Sequence, residues 1–209
     1  RVNLQGLVSG DLRTSIDAVA SAVQGERPNL PRLVGAAPDG TVTILFTDIE
    51  GSTTITERLG DQRWLGLLHT HNAIIREQLA AHAGFEVKSQ GDGFMAAFQS
   101  ARRALQCAIA IQQSLASYNN QHPEEPIRVR CGLHTGEAIK EADDFFGKSV
   151  ILAARIAAQA QGGQILVSGL LKELTESSGQ FKFDQGREIE LKGLSGLQRM
   201  FELEWQNKG

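Results

Sequence analysis

Long apolar runs, clustered cysteines and an excess of positive charge are all missing from this sequence. No stretch of the 209 residues approaches the ~20 apolar residues that a membrane-spanning helix needs. The cysteines Cys107 and Cys131 are too far apart for a metal-type spacing, so we expect two reduced thiols that pack as small hydrophobic groups in a cytosolic setting. With a net charge of −3, the chain gives no support for a nucleic-acid partner.

Residues 1–40 differ in pattern from the rest and are predicted to form a helix followed by a linker. The apolar spacing of one helix face recurs at Leu12, Ile16, Val19 and Val23. Prolines and glycines between Gly25 and Gly40 then interrupt any regular element. Two heptads do not decide whether this face pairs as a short coiled coil or packs on its own domain. The linker predicts an upstream sensor or membrane module, with the domain cytoplasmic, alone or as the cytoplasmic part of a larger or membrane-attached protein.

Residues 41–205 alternate strand and helix patterns and are predicted to form one domain, followed by a short tail at 206–209. Apolar runs such as VTILF (42–46) are typical of strands, whereas ARRALQCAIAIQQSL (101–115) carries the spacing of a helix. The order of the core elements, βααββαβ, predicts an α+β sandwich with an antiparallel sheet. The Ala-rich stretch ILAARIAAQA (151–160) predicts a helix on which another element packs closely.

The stretch TDIEGSTT, residues 47–54, is where the first strand meets a turn and the start of a helix. Gly51, Ser52 and Thr53 supply a flexible backbone and an N-cap. The free backbone N–H groups at such a helix start attract phosphate. An acid such as Asp48 repels phosphate unless a divalent cation lies between them, so this stretch predicts carboxylate, metal and polyphosphate in one place.

A second acid, Asp92, lies in the turn QGDG of a predicted hairpin at residues 85–98. If this hairpin neighbours the first strand, Asp48 and Asp92 project from one edge of the sheet and can hold two hard cations. Mg²⁺ is commonly bound by one or two carboxylates plus substrate phosphates. Two such ions activate an attacking oxygen and stabilise a leaving one. For each aspartate alone, ordinary turn chemistry is an equally good explanation.

Four short blocks follow one another along the chain: FTDIEGST, VKSQGDGFMAAF, VRCGLHTGE and DDFFGKSVILAAR. In this order they resemble the signatures of class III nucleotidyl cyclase catalytic domains, and most of all bacterial adenylyl cyclases. The resemblance covers residues 41–205 and implies a ferredoxin-like α+β fold that works as a head-to-tail dimer with active sites at the subunit interface. The implied reaction converts a nucleoside triphosphate into a 3′,5′-cyclic monophosphate and pyrophosphate.

The resemblance also assigns metal and phosphate ligands. Asp48 and Asp92 match the two metal-binding aspartates, and the backbone carbonyl of Ile49 is a further expected ligand. Two Mg²⁺ or Mn²⁺ ions are the implied cofactors, and residues 51–53 would hold the triphosphate. Lys192, in ELKGLSG, resembles a late lysine that contacts the terminal phosphates, although basic residues before glycine are also common in turns.

Lys88 matches the base-selecting lysine of this family, and Asp144 matches its partner on the DDFFG segment. Adenine presents N1 as an acceptor and N6 as a donor, which a lysine and a carboxylate complement. Guanine reverses both groups, so a site built on these hydrogen bonds rejects it and ATP is the expected substrate. The neighbouring Asp143 stays an alternative to Asp144, and either charge alone fits an ordinary solvated surface.

Arg155 falls on the Ala-rich helix at the position of the family's transition-state arginine, where a guanidinium can meet phosphate oxygens. A surface ion pair is the alternative. Four residues earlier, where the family often has an asparagine that orients ribose and phosphate, this sequence has Ile151. Because Ile151 offers no hydrogen bond, the enzyme would be slow, would use Ser149 or Lys148 instead, or would be a degenerate copy.

Three functions fit these residues to different extents. A homodimeric adenylyl cyclase acting on ATP, weakened by Ile151, accounts for all four blocks. A degenerate regulatory domain that binds nucleotide or only dimerises accounts for Ile151. A two-metal phosphohydrolase explains neither Lys88 nor Asp144. His134, in GLHTG, is expected to have a structural or interface role rather than to act as a general base.

Overall fold

A computed structural model describes residues 39–141 and 144–206, which form eight strands and five helices. The strands are β1 (Asp39–Ile49), β2 (Phe85–Gln90), β3 (Gly93–Phe98), β4 (Val129–Glu141), β5 (Asp144–Phe146), β6 (Ile165–Ser168), β7 (Arg187–Glu190) and β8 (Leu197–Glu202). The helices are α1 (Ser52–Leu59), α2 (Asp61–Ala81), α3 (Ala101–Gln121), α4 (Lys148–Gln159) and α5 (Gly169–Glu176). None of these five helices combines the length and apolar character needed to span a lipid bilayer. The helix predicted within residues 1–40, most of its linker and most of the predicted tail lie outside the described residues.

The eight strands form one sheet in the order β2-β3-β1-β4-β6-β8-β7, with β5 paired to β4. The order of elements along the chain confirms the predicted α+β class and its βααββαβ core. Within the described residues the strand pairings are antiparallel except that of β4 with β6, which run parallel. This pair departs from the predicted antiparallel sheet because the connection from β4 to β6 crosses over through α4.

Both faces of β1 are buried, which explains its nearly continuous apolar sequence. Leu45 packs in a large hydrophobic cluster with residues of α2 and α3. Its neighbour Ile44 points to the opposite face and packs in a second cluster that includes Met95. Cys107 and Cys131 are free and buried in the first cluster, as the sequence predicts. The central strand is therefore held from both sides, and its C-terminal end is a fixed point for the residues that follow.

Helix α4 packs on β4 at backbone distance. A Cβ added to Gly132 of β4 would lie 2.1 Å from the backbone nitrogen of Ala157 and 2.3 Å from its Cα. Ala153 and Ala157 are buried on this side of the helix, which confirms the predicted close packing on the Ala-rich stretch. The contact fixes α4, and with it Ile151 and Arg155, against the sheet.

Two short elements are not predicted from the sequence, because three to eight residues carry too little periodicity. Strand β5 has three residues and exists through its pairing with β4. Helix α5 begins after Ser168, whose hydroxyl accepts a hydrogen bond from the backbone N–H of Leu171. The N-cap predicted within residues 51–53 is Gly51, which has a φ of 69° and provides no side-chain cap to α1.

Replacing Gly132 with alanine should destabilise the domain, because the added Cβ must push α4 away from β4. We expect a loss of about 2–3 kcal/mol in the free energy of unfolding, measured by urea denaturation. Gly66 in α2 provides the matched control, since a Cβ there meets nothing within 4 Å. Gly66→Ala should raise stability by roughly 0.5–1 kcal/mol because alanine favours the helix. Parental stability in Gly132→Ala would contradict the close packing.

Candidate active site

Two carboxylates meet at one edge of the sheet. Asp48 lies near the C-terminal end of β1, and β1 pairs with β3 through Thr47 and Phe94. This register brings the β2–β3 turn beside the end of β1, where the backbone N–H of Ile49 donates to Oδ2 of Asp92 at 3.3 Å. The structure thus brings together the two aspartates that the sequence singles out for metal binding.

The acid pair is electrostatically strained and partly neutralised by Arg130. Burial raises the pKa of Asp48, and the nearby negative charge of Asp92 raises it further. Arg130 opposes both effects, since its Nε donates to Oδ2 of Asp48 at 2.9 Å and its Nη2 contacts the same oxygen. The two residues stand directly opposite each other in the β1–β4 register. Sequence context does not identify Arg130, because only the strand register places it beside the acid.

The donor set at this edge fits a hard divalent cation. The negative charge of Asp92 repels that of Asp48, and a cation between the two carboxylates would remove that repulsion. The carbonyl of Ile49 lies at the end of the same strand. Among residues 39–141 and 144–206, no three His, Cys, Asp or Glu side chains gather as a complete metal-binding group. Two carboxylates, with the remaining ligands from water and phosphate, are an arrangement that Mg²⁺ commonly adopts.

The start of α1 adjoins the acid pair. Gly51 has a positive φ of 69°, and the helix begins at the next residue. Because the first N–H groups of a helix have no intrahelical acceptor, they are available to an anion. A cavity of about 640 Å³ opens beside this helix start, and Ser52, Thr53 and Asp92 are among its lining residues. The predicted phosphate-binding loop and the predicted metal site are therefore contiguous.

Lys88 of β2 and Asp144 of β5 form a half-buried ion pair. Nζ of Lys88 lies 2.7 Å from Oδ2 and 3.0 Å from Oδ1 of Asp144, and the two side chains are 29% and 31% exposed. The backbone N–H of Phe145 also donates to Oδ1 at 2.8 Å and helps to hold the carboxylate. The pair presents a donor and an acceptor side by side, as recognition of a flat heterocycle requires. Asp143, the alternative partner, lies outside the described residues.

Arg155 and Ile151 lie one turn apart on α4. The side chain of Arg155 is partly buried, and its Nε has no hydrogen-bond partner among the described residues. In that part of the chain, the hydrogen bonds and ion pairs of Asp48, Asp92 and Lys88 are made with other residues. Ile151 is 44% exposed, so the core does not depend on it. We call the sheet edge that carries Asp48 and Asp92 the acid edge. Arg155 is therefore not joined to the acid edge by such contacts within one subunit.

Three other predicted residues lie apart from the acid pair. Ser149 faces β4, because its Oγ would be 2.5 Å from a Cβ on Gly136. Lys148 is exposed in the first turn of α4. Lys192 is exposed in the turn between β7 and β8 and does not line the cavity beside α1. The orientation of Ser149 makes it a poor substitute for the hydrogen bond that Ile151 cannot make.

His134 is buried in the interior of the sheet. Its Nδ1 bonds with Oγ of Ser168 at 2.8 Å, and burial lowers its pKa to about 4. The same hydroxyl caps α5, so the histidine links β4 to the start of that helix. This environment fits the expected structural role.

Comparisons with known proteins all indicate similarity to nucleotide cyclases. A family model described as "Adenylate and Guanylate cyclase catalytic domain" matches residues 34–204. An adenylate cyclase of Mycosarcoma maydis is 36% identical over 171 residues, a match that covers 70% of this chain but only 7% of that protein. The likeness to bacterial members in particular stays a prediction, since this relative is fungal.

Solved structures share the fold. The adenylyl cyclase CyaB from P. aeruginosa has a TM-score of 0.73 and 22% identity, covering 81% of this chain and 96% of that chain. The guanylyl cyclase Cya2 has a TM-score of 0.71 and 23% identity, covering 79% and 92%. Because both nucleotide preferences occur on this fold, the choice of base must come from particular side chains and not from the architecture.

Asp92→Asn should slightly stabilise the metal-free protein and remove its response to metal. Asparagine keeps an oxygen that can accept from the N–H of Ile49 but lacks the charge that raises the pKa of Asp48. A carboxyl whose pKa is raised on folding costs the protein stability as the pH rises from the unfolded-state pKa toward the folded-state pKa. Burial is the larger cause of the Asp48 shift and stays in the variant, so removing the Asp92 charge should restore only part of this stability at pH 7. Because water screens this half-exposed pair, the expected gain is only ~0.5 kcal/mol.

Thermal unfolding with and without Mn²⁺ provides the measurement. The parent should melt at a higher temperature with Mn²⁺, whereas Asp92→Asn should not respond. Glu173→Gln, at an exposed site of α5 that does not line the cavity beside α1, removes the same charge and should keep the parental response. A full Mn²⁺ response in Asp92→Asn would exclude this edge as the metal site.

Proposed function

Because the family model matches most of its length, the chain belongs to the adenylate and guanylate cyclase catalytic-domain family, and we propose that it is an adenylyl cyclase. The proposed reaction converts ATP into 3′,5′-cyclic AMP and pyrophosphate. The observation that carries this proposal is the Lys88–Asp144 ion pair on a domain whose sheet edge holds Asp48 and Asp92 together. The acid edge suits phosphoryl transfer, and the ion pair suits adenine.

Adenine complements the ion pair at both of its polar positions. Lys88 would donate to N1, and Asp144 would accept from the N6 amino group. Guanine would set its N1–H donor against the lysine and its O6 acceptor against the carboxylate, leaving partly buried groups unpaired. Sites that recognise a substrate by hydrogen bonds can discriminate by about 10⁴-fold.

The chain's part in the reaction is to position a flexible triphosphate. Asp48, Asp92 and the Ile49 carbonyl would hold two Mg²⁺ or Mn²⁺ ions. When bound, such ions neutralise phosphate charge and acidify the attacking hydroxyl. The N–H groups at the start of α1 would donate hydrogen bonds to phosphate oxygens. Attack of the ribose 3′-oxygen on the α-phosphorus then closes the ring as the bond to pyrophosphate breaks, a step that depends mainly on orientation.

A homodimer would supply the arginine that the acid edge lacks. In a two-fold dimer, Arg155 of one subunit can face the acid edge and Lys88 of its mate. An apolar surface supports such an interface: Ile139 and Phe146 pair across β4 and β5, and they are 60% and 46% exposed. These residues can be buried against a second copy without unpaired polar groups.

A second candidate function is a degenerate domain that binds nucleotide without turning it over. It is favoured by Ile151, whose exposed hydrocarbon side chain occupies the position of a family asparagine. Losing one well-placed donor typically costs ~10²-fold in rate, which slows an enzyme without abolishing it. The activity of the whole protein, its upstream module and its location stay predictions.

Complementation tests the composite site. The parent should convert ATP to cyclic AMP with Mn²⁺ or Mg²⁺, and both Asp48→Ala and Arg155→Ala should be inactive alone. A 1:1 mixture of the two variants should recover about a quarter of parental activity, because half the dimers are mixed and each has one intact site. Asp48→Ala mixed with the double variant Asp48→Ala/Arg155→Ala should stay inactive.

Each alternative has its own outcome in this assay. Binding of ATP–Mg²⁺ without any cyclic product would favour the degenerate domain. Equal use of ATP and GTP by the parent would exclude the proposed base pocket. Full activity of an isolated subunit would exclude the composite site.

Ile151→Asn should raise kcat on ATP by ~10- to 100-fold if the missing donor limits the rate. Its side chain is exposed, so the substitution should leave the melting temperature nearly unchanged. Ile151→Leu provides the control and should keep the parental kcat. A lower or unchanged kcat in Ile151→Asn would show that the chain compensates in another way.

A further inference from the structure

The strand that carries Lys88 contains a β-bulge. Strand β2 pairs with β3 through Glu86 and then through Lys88, opposite adjacent residues of β3, so Val87 has no partner of its own. The extra residue lets two consecutive side chains, those of Val87 and Lys88, take different roles in the structure. Val87 is buried in the cluster that contains Met95, and Lys88 reaches Asp144. The direction of Lys88 therefore depends on the bulge.

Arg76 of α2 bonds with side chains on both sides of this bulge. Its Nε and Nη2 donate to the two carboxylate oxygens of Glu86 at 2.8 and 2.9 Å. Its Nη2 also donates to Oγ of Ser89 at 3.3 Å. Glu86 precedes and Ser89 follows the pair Val87–Lys88, and the guanidinium lies over the ring of Phe94, 5.2 Å from its centroid. One side chain thus holds both ends of the segment that carries the lysine.

We infer that Arg76 is a positioning residue for base selection, an inference that rests on the proposed function. A bulge interrupts the hydrogen-bond ladder, so the backbone at Lys88 is held less firmly by its neighbouring strand. The contacts of Arg76 with Glu86 and Ser89 restrain this segment in place of the missing ladder bond. They act from the face of the sheet that α2 covers, opposite the face on which Val87 is buried. They keep the lysine aimed at Asp144 and at the position of the adenine ring. Displacing a positioning group by ~1 Å can cost ~10²-fold in rate.

Arginine is suited to this task in a way that lysine is not. Its planar guanidinium donates in a fork to both oxygens of one carboxylate and still has a donor left for a hydroxyl. The side chain of Glu86 is only 13% exposed, so the pair is partly shielded from water. Hydrogen bonding with Glu86 raises the pKa of Arg76 above its ordinary value, and the guanidinium stays charged. A lysine ammonium could meet one of these partners at a time.

The test is nucleotide discrimination in the full chain with Mn²⁺. In Arg76→Met, which keeps an unbranched apolar stem, the ratio of kcat/KM for ATP to that for GTP should fall about tenfold. The loss should lie mainly in KM for ATP. Arg76→Lys should give an intermediate ratio and carries the same test if Arg76→Met does not fold. Arg63 lies on the same helix as Arg76 and forms an exposed ion pair with Glu125. Arg63→Met breaks that pair, is the matched control and should keep the parental ratio.

A double-mutant cycle separates positioning from general stability. If Arg76 acts through Lys88, Arg76→Met should cause no further loss of discrimination in a Lys88→Ala background. A role in stability alone would lower the melting temperature and the rates on both nucleotides, with the ratio unchanged, and would overturn the inference. Effects on the ratio that multiply in the double variant would overturn it as well. A parent that does not discriminate would instead refute the proposed base pocket.

Discussion

The register of β1 between β3 and β4 is the constraint on which the site depends. It places Asp48 opposite Arg130 on one side and next to the Asp92 turn on the other. The carboxylates of Asp48 and Asp92 and the guanidinium of Arg130 are thereby held at a sheet edge where burial already disfavours the charged form of Asp48. A one-residue slip would turn Asp48 to the opposite face of the sheet. The buried side chains on both faces of β1 prevent such a slip, so the hydrophobic core is what enforces the electrostatics.

Under the proposed function, the β2–β3 hairpin carries base recognition and phosphate chemistry at two separate places. Its turn presents Asp92 to the sheet edge that carries Asp48, while its bulge presents Lys88 to Asp144. Both proposed functions depend on a short two-stranded unit at the end of the sheet, which pairs with β1 as its one further strand among the described residues. The contacts of Arg76 from α2 compensate for this exposed position. Because the turn and the bulge carry different side chains, base choice can change without a change in the acid pair, in keeping with a fold that occurs in both an adenylyl and a guanylyl cyclase.

Much of this arrangement could be predicted from local sequence, and the rest depends on register. Asp48 and Asp92 stand near glycines at the ends of clear strand patterns, so each is expected where a strand ends, and they share one edge if their strands are neighbours. Arg130 could not be found in this way. Its role depends on a hydrogen bond with Asp48, which is 82 positions away in the sequence and is brought near only by strand pairing. The bulge at Val87 and the three-residue strand β5 leave no periodic signal. Lys88 and Asp144 were predicted to pair by family resemblance, whereas the physical reason for their meeting is visible only in the pairings of β2 with β3 and of β5 with β4.

Helix α4 shows how stability and activity can be separated within one element. Its buried side is anchored by the backbone contact between Gly132 and Ala157, which fixes the height of the helix over the sheet. Its N-terminal turn carries Ile151 on the exposed side, where a change from polar to apolar costs the fold little. Under the proposed function, a substitution at this position can therefore weaken catalysis without unfolding the protein. Arg155 belongs neither to the fully buried side nor to the exposed side of the helix, because its Nε is buried yet unpaired among the described residues. A buried donor of this kind is costly unless another group satisfies it, which is a physical reason for the helix to meet a second subunit or a phosphate.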